Sequence, residues 1–187
     1  MNAVRIRYRM ITDFKNERLR PEINWWSEQT KLNEYTISLE PAEILNSMIV
    51  GAFAYQAQQI VGAAGLMHIM TDENEIICFG NKPIVEFRSN CVDPRFQEKG
   101  IGKKLMQMRL DYAENEYVSV VITKEAHILH MTQNQHSGWV SMESIEAYSG
   151  VLAKIRTCSC HKKKDQPFIG SRCSVCPLYA KSIFVHV

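Results

Sequence analysis

The residues best placed to do chemistry lie between positions 91 and 105, which read Cys91-Val92-Asp93-Pro94-Arg95-Phe96-Gln97-Glu98-Lys99-Gly100-Ile101-Gly102-Lys103-Lys104-Leu105. An apolar, strand-like run stops at Asp93-Pro94, and a polar turn follows. Two glycines then open an amphipathic helix with apolar positions Ile101, Leu105, Met108 and Tyr112. Positions without side chains let backbone N–H groups come close to a bulky anion, and a helix start adds about half a positive charge to hold it. Gly-x-Gly taken alone also fits glycines that merely open a helix. Two other phosphate loops fit worse. The dinucleotide fingerprint needs a third glycine where Leu105 stands, and the P-loop needs Gly-Lys-Ser/Thr with four residues between its glycines.

A second constellation consists of cysteines. Cys158 and Cys160 form Cys-x-Cys, Cys173 and Cys176 form Cys-x-x-Cys, and twelve residues separate the pairs. Two such pairs brought together close a tetrahedral zinc site, with His161 as an alternative ligand and disulfides or free thiols as the alternatives to metal. Four protein ligands leave no open position, so the expected zinc is structural. It would staple residues 157–177, a segment too small to build a core of its own. A nucleotide deaminase would need His-x-Glu and a proline before the second pair, and neither is present. Lys162-Lys163-Lys164 lies in the same segment; it is a weak nucleic-acid signal and reads first as a solvated loop. Cys78 and Cys91 stand alone, and a buried thiol is the simplest reading of Cys91.

These groups need a scaffold, and the composition provides for one. The chain has 187 residues, 45% hydrophobic and 22% charged, with a formal net charge of +2. That suits one ordinary domain and gives no global attraction to nucleic acid or anionic membrane. The first eight residues alternate polar and apolar types and read as a strand, not a signal peptide. No run approaches a membrane span. A cytoplasmic location is the expectation, and in a reducing compartment clustered cysteines favour metal over disulfides.

Along the chain, the pattern predicts a strand over Val4 to Ile11 and a short helix capped at Thr12-Asp13 and interrupted by Pro21. A second helical stretch carries Trp25 and Trp26, and a further short helix starts at Pro41. Strands follow over Gly51 to Ala57, Ile60 to Ile69 and Ile84 to Val92. After the helix at Ile101 comes a buried strand, Tyr117 to Thr123, then a helix over Ala126 to His136. Strands starting at Gly138 and at Ser182 end the pattern, with the cysteine segment between them. The order makes a mixed α/β (α+β) domain spanning 1–187.

The stretch from Val92 to Gly102 resembles the signature of the GNAT superfamily of acetyltransferases, Gln/Arg-x-x-Gly-x-Gly/Ala after a Val-Asp-Pro strand end. Gln97, Gly100 and Gly102 fill its fixed positions. The resemblance implies a mixed, mostly antiparallel central sheet flanked by helices, and acetyl-CoA as cosubstrate. It also implies that the amides of Gln97, Glu98, Lys99, Gly100, Ile101, Gly102 and Lys103 bind the CoA pyrophosphate, while Cys91, Val92 and Asp93 run beside pantetheine and the thioester. The zinc knuckle would be an addition to that fold, inserted between its last two strands.

Acetyl transfer from a thioester to a primary amine needs the amine neutral and the developing oxyanion bound. A backbone N–H near Val92 suits the second task. Glu86 stands inside a strand, eleven positions before Gln97. The histone-acetylating branch of the family places its base at that spacing; the plainer reading pairs Glu86 with Arg88. The tyrosine that commonly protonates the leaving thiolate has no counterpart, because counting back from Gly138-Trp139 reaches Asn134. Asn134 can touch CoA but cannot donate a proton as an acid, which leaves His130, His136 or solvent. One of Trp25 and Trp26 is expected in the core, and the other is a candidate for the wall of the acceptor site. The rival reading is a non-catalytic module that binds CoA, a protein or nucleic acid through the knuckle.

Overall fold

The computed structural model describes residues 5–32, 38–71, 74–123, 138–156 and 182–187. The chain divides into two compact units, residues 1–67 with 87–112, and residues 68–86 with 113–187.

The first unit is built on β1 (Ile6–Ile11), β2 (Met48–Gln56) and β3 (Gln59–His68). β1 and β2 pair antiparallel from Ile6↔Gln56 to Ile11↔Gly51, and β2 and β3 pair antiparallel through Ala52↔Ala64. Alternation of side chains sends Phe53 to one face and Ala52 and Ala54 to the other. On the first face Phe53 and Ala63 join Ile23, Trp26 and Ile44 in one apolar cluster. Those last three come from α1 (Arg20–Leu32) and α2 (Pro41–Ser47). On the other face Ala52, Ala54, Val61 and Ala64 pack with Ile101 and Leu105 of α3 (Ile101–Ala113). The second half of β5 (Lys82–Val92) completes this unit.

The second unit holds the first half of β5, the short β4 (Cys78–Phe79), β6 (Val118–Thr123), β7 (Trp139–Ser141) and β8 (Ser182–His186). β5 and β6 run parallel from Ile84↔Val118 to Glu86↔Val120. β8 pairs antiparallel with both β6 and β7. Val120 and Val121 are both buried, as befits a central strand with neither face to water. The β-branched core is closed by Val151, Leu152 and Ile155 of α4 (Ser149–Arg156).

Two helical expectations need correction. Pro21 does not interrupt a helix. Asn16, not Thr12 or Asp13, caps a 3₁₀ turn at Glu17–Leu19, and α1 follows it directly with Pro21 in its first turn. A first-turn N–H has no intrahelical acceptor, so proline loses nothing there. α4 was not anticipated, because Gly150 and the eight-residue length gave it a weak helical signal. The predicted helix over Ala126 to His136 lies outside the described residues, as does the segment 157–177. Among the described residues no helix is long and apolar enough to cross a membrane.

Candidate functional site

The site is built around the C-terminal half of β5 and the start of α3, all within the first unit. β5 ends where the Asp93 N–H donates to Val61 O at 3.0 Å. The Asp93 side chain then caps a 3₁₀ turn, Pro94–Phe96, by accepting from Arg95 N at 3.0 Å. The Arg95 guanidinium donates to both carboxylate oxygens, at 3.1 and 2.7 Å, and this pairing holds the Asp93 carboxyl below its ordinary range. Phe96 is buried with Ile101 and Leu105, and Lys99 lies 4.7 Å from its ring centre while donating to Arg95 O. Gln97 Nε2 reaches back to Val92 O at 3.4 Å. The turn is thus tied to the strand before it and the helix after it.

Between these ties, Gln97, Glu98, Lys99 and Gly100 are exposed. Glu98 has φ of +61° and Gly100 +75°. A glutamate in the left-handed region costs about 1–2 kcal/mol, and repeated visits to it gather N–H groups into a concavity suited to anions. Lys104 N donates to Gly100 O at 3.0 Å as the first turn of α3 closes. The N–H groups of Ile101, Gly102 and Lys103 lie before that first bond and have no intrahelical acceptor. Lys103 and Lys104 are exposed beside them.

Gly102 leaves the backbone at the start of α3 open to an external group. A Cβ built there meets Asn90 Nδ2 at 3.5 Å and Val92 Cγ2 at 3.8 Å, both ordinary contacts. Internal packing therefore does not require glycine at 102, whereas close approach of an external group would. Gly100 is different: no atom of the described residues lies within 4 Å of its Cβ position, and its φ alone selects glycine.

Cys91 is 3% exposed, and burial pushes its thiol up to about 12. It is a neutral thiol at neutral pH, not an activated nucleophile. The shift has a sign in stability. Both states keep the proton below the ordinary value of 9.0, and between there and about 12 only the unfolded chain loses it. Stability should therefore fall as pH rises through that window, by up to about 1.4 kcal/mol per pH unit from this group. Urea unfolding at several alkaline pH values should show a shallower loss in Cys91→Ala than in the wild type.

Glu86 is also on β5, opposite Val120, and is 3% exposed. Trp26 is wholly buried, and Trp25 is partly buried against the same cluster. Asn134, His130, His136, Cys158, Cys160, His161, Lys162 to Lys164, Cys173 and Cys176 lie outside the described residues. Among the described residues no group of three or more His, Cys, Asp or Glu side chains is arranged to hold a metal, and Cys78 and Cys91 are free thiols.

Two features were missed in the sequence. Within β5, Ser89 has a φ of +52°, and its carbonyl accepts from Trp26 Nε1 at 2.9 Å. The weak strand formers Ser89-Asn90 were the available signal. The second is Arg109, fully buried on the face of α3 that holds Ile101 and Leu105; the expected inward positions Met108 and Tyr112 are only half-buried. Arg109 donates to Gly65 O at 2.9 Å and Leu105 O at 3.1 Å, and stacks 4.7 Å over Phe87. Burial lowers its pKa to about 9, so it remains a cation at neutral pH.

Residues 49–137 match the family model described as an acetyltransferase (GNAT) domain. Several solved structures share the fold. A GNAT family acetyltransferase from Brucella melitensis, in complex with acetyl-CoA, is 15% identical with a TM-score of 0.51, covering 68% of this chain and 82% of its own. An N-acetylglutamate synthase from Neisseria gonorrhoeae, complexed with coenzyme A and N-acetyl-glutamate, is 13% identical with a TM-score of 0.57. The match covers 96% of this chain but only 35% of that one. NAA60 from Arabidopsis thaliana, in complex with a bisubstrate analogue, is 13% identical with a TM-score of 0.53, covering 73% of this chain and 84% of its own. No curated protein sequence matches. The chain has a GNAT-like mixed α/β fold, with a mostly antiparallel sheet flanked by helices.

Proposed function

We propose that this protein is an acetyl-CoA-dependent N-acetyltransferase that moves an acetyl group directly to a primary amine in a ternary complex. The observation that carries the reading is the open backbone at Gly102, set at the start of α3 and bordered by Val92 and Asn90 of β5. The match of residues 49–137 supports it, as do neighbours bound to acetyl-CoA or to coenzyme A with an acetylated product.

When bound, acetyl-CoA supplies an acyl group activated as a thioester. The amides from Gln97 to Lys103 hold its pyrophosphate, and Cys91, Val92 and Asp93 line its pantetheine through their backbone. Asn134 joins them on the family resemblance. The Val92 N–H polarises the carbonyl, as a donor aimed at the developing oxyanion. Glu86 takes the proton of the acceptor ammonium. The neutral Cys91 thiol is a spectator, which agrees with direct attack and no acyl-enzyme. We place the reaction in the cytoplasm, on a single domain spanning residues 1–187. In it Cys158, Cys160, Cys173 and Cys176 bind one structural zinc that folds residues 157–177; the cysteine spacing supports this.

The test is calorimetric titration of metal-analysed protein with acetyl-CoA. Thiol release is then measured with spermidine, a lysine-containing peptide and a peptide with a free N-terminus. Micromolar binding followed by turnover with any of these amines is the expected result. Absence of binding in folded, zinc-loaded protein would overturn the enzyme reading in favour of a docking module.

A further inference from the structure

The left-handed residue that makes a kink in the backbone of β5 is held from outside the strand. Ser89 adopts a left-handed backbone without being glycine, and such a residue persists only where its surroundings hold it. Its own side chain does not do so. Among the described residues, Ser89 Oγ and the neighbouring Asn90 Oδ1 are both buried without a hydrogen-bond partner. The hold comes from α1, where the indole N–H of Trp26 donates to Ser89 O at 2.9 Å across 63 positions of sequence.

That indole is itself fixed. Trp26 is fully buried, and its ring meets Phe53 edge-on with centroids 5.6 Å apart. It also lies directly on Gly65, where an added Cβ would come within 2.5 Å of Trp26 Cη2. The donor therefore has a set position, and a set donor sets the peptide it grips. In a planar trans peptide the C=O and N–H point in opposite directions. With the Ser89 carbonyl directed at α1, the Asn90 N–H is directed away from it. Cys91 and Val92 follow within three residues. Asn90 Nδ2 lies 3.5 Å from the Cβ position of Gly102, so the side chain carried by that residue borders the start of α3.

We propose that Trp26 is a positioning residue for acyl transfer: by gripping Ser89 O it aims the backbone N–H groups of β5 that follow the kink, including that of Val92, at the thioester carbonyl. The inference rests on the reading of β5 as the strand beside acetyl-CoA. It assigns Trp26 to the donor geometry of the acyl site, not to the acceptor pocket, and gives α1 a part in the chemistry without touching substrate.

The test compares Trp26→Phe, which keeps an aromatic ring and removes the donor, with Ile44→Val, which loosens the same apolar cluster and leaves the donor alone. Both variants should lose a few degrees of Tm. Thiol release from acetyl-CoA with the three amine probes should then separate them. In Trp26→Phe, kcat should fall roughly 10- to 100-fold with KM for acetyl-CoA changed less than about threefold, because the pyrophosphate loop is untouched. In Ile44→Val, kcat should stay within about twofold of the wild type. Equal kcat losses in the two variants, or an unchanged kcat in Trp26→Phe, would overturn the proposal while leaving the acetyltransferase reading intact. Failure of the wild type to bind acetyl-CoA would overturn both.

Discussion

Gly102→Glu should weaken acetyl-CoA binding roughly a hundredfold or more, about 2.7 kcal/mol, and leave the fold intact. The substitution puts a carboxylate at the proposed diphosphate site, against N–H groups that the first turn of α3 leaves without acceptors. A Cβ at this position meets only ordinary contacts among the described residues, at 3.5 and 3.8 Å. Gly102→Ala refines the test. Alanine in a helix is favoured over glycine by up to about 1 kcal/mol, so this variant should gain stability while losing affinity. Position 100 is a poorer probe, because its φ of +75° strains any other residue. Calorimetry alongside thermal unfolding separates the two effects. Wild-type affinity in Gly102→Glu would remove this loop from the cofactor site.

Glu86→Gln should lower kcat by about a hundredfold or more while leaving KM for acetyl-CoA nearly unchanged. Glutamine keeps the shape of a side chain that is only 3% exposed, but it cannot accept a proton from an ammonium. The variant then depends on solution to supply the neutral amine, so its rate should keep rising with pH through the alkaline range, where the wild type levels off. Initial rates across pH give both readings at once. A kcat within a few-fold of wild type, with the same pH profile, would leave Glu86 a structural carboxylate.

What could be read from the sequence was mostly local. Val92-Asp93-Pro94 ends a strand through chemistry carried by three consecutive residues, and Gly100 and Gly102 mark the turn and helix start within ten more. The run Val118 to Ile122 is β-branched apart from Ser119, enough to identify a buried strand. What escaped depends on contacts between distant segments. Nothing near Ser89 says that a tryptophan 63 positions earlier will hold its carbonyl. Arg109 reads as a surface charge until the Gly65 and Leu105 carbonyls and the Phe87 ring are brought around it. Pro21 was misread for a smaller reason. A proline breaks a helix or begins one according to where the cap falls, and Asn16 lies far enough upstream to put it in the first turn.

Arg109 also constrains how a ligand can arrive. In the first turn of α3 Lys103 and Lys104 face solvent, while two turns further on the Arg109 guanidinium fastens the helix to β3 and β5 at once. A helix bolted at that end cannot slide to meet what lands on the other. On the proposed reading the loop is a receptor shaped before its guest, so cofactor capture should follow a single concentration-proportional phase, with no slow isomerisation behind it. Any slow motion in turnover then belongs to the acceptor side or to product escape.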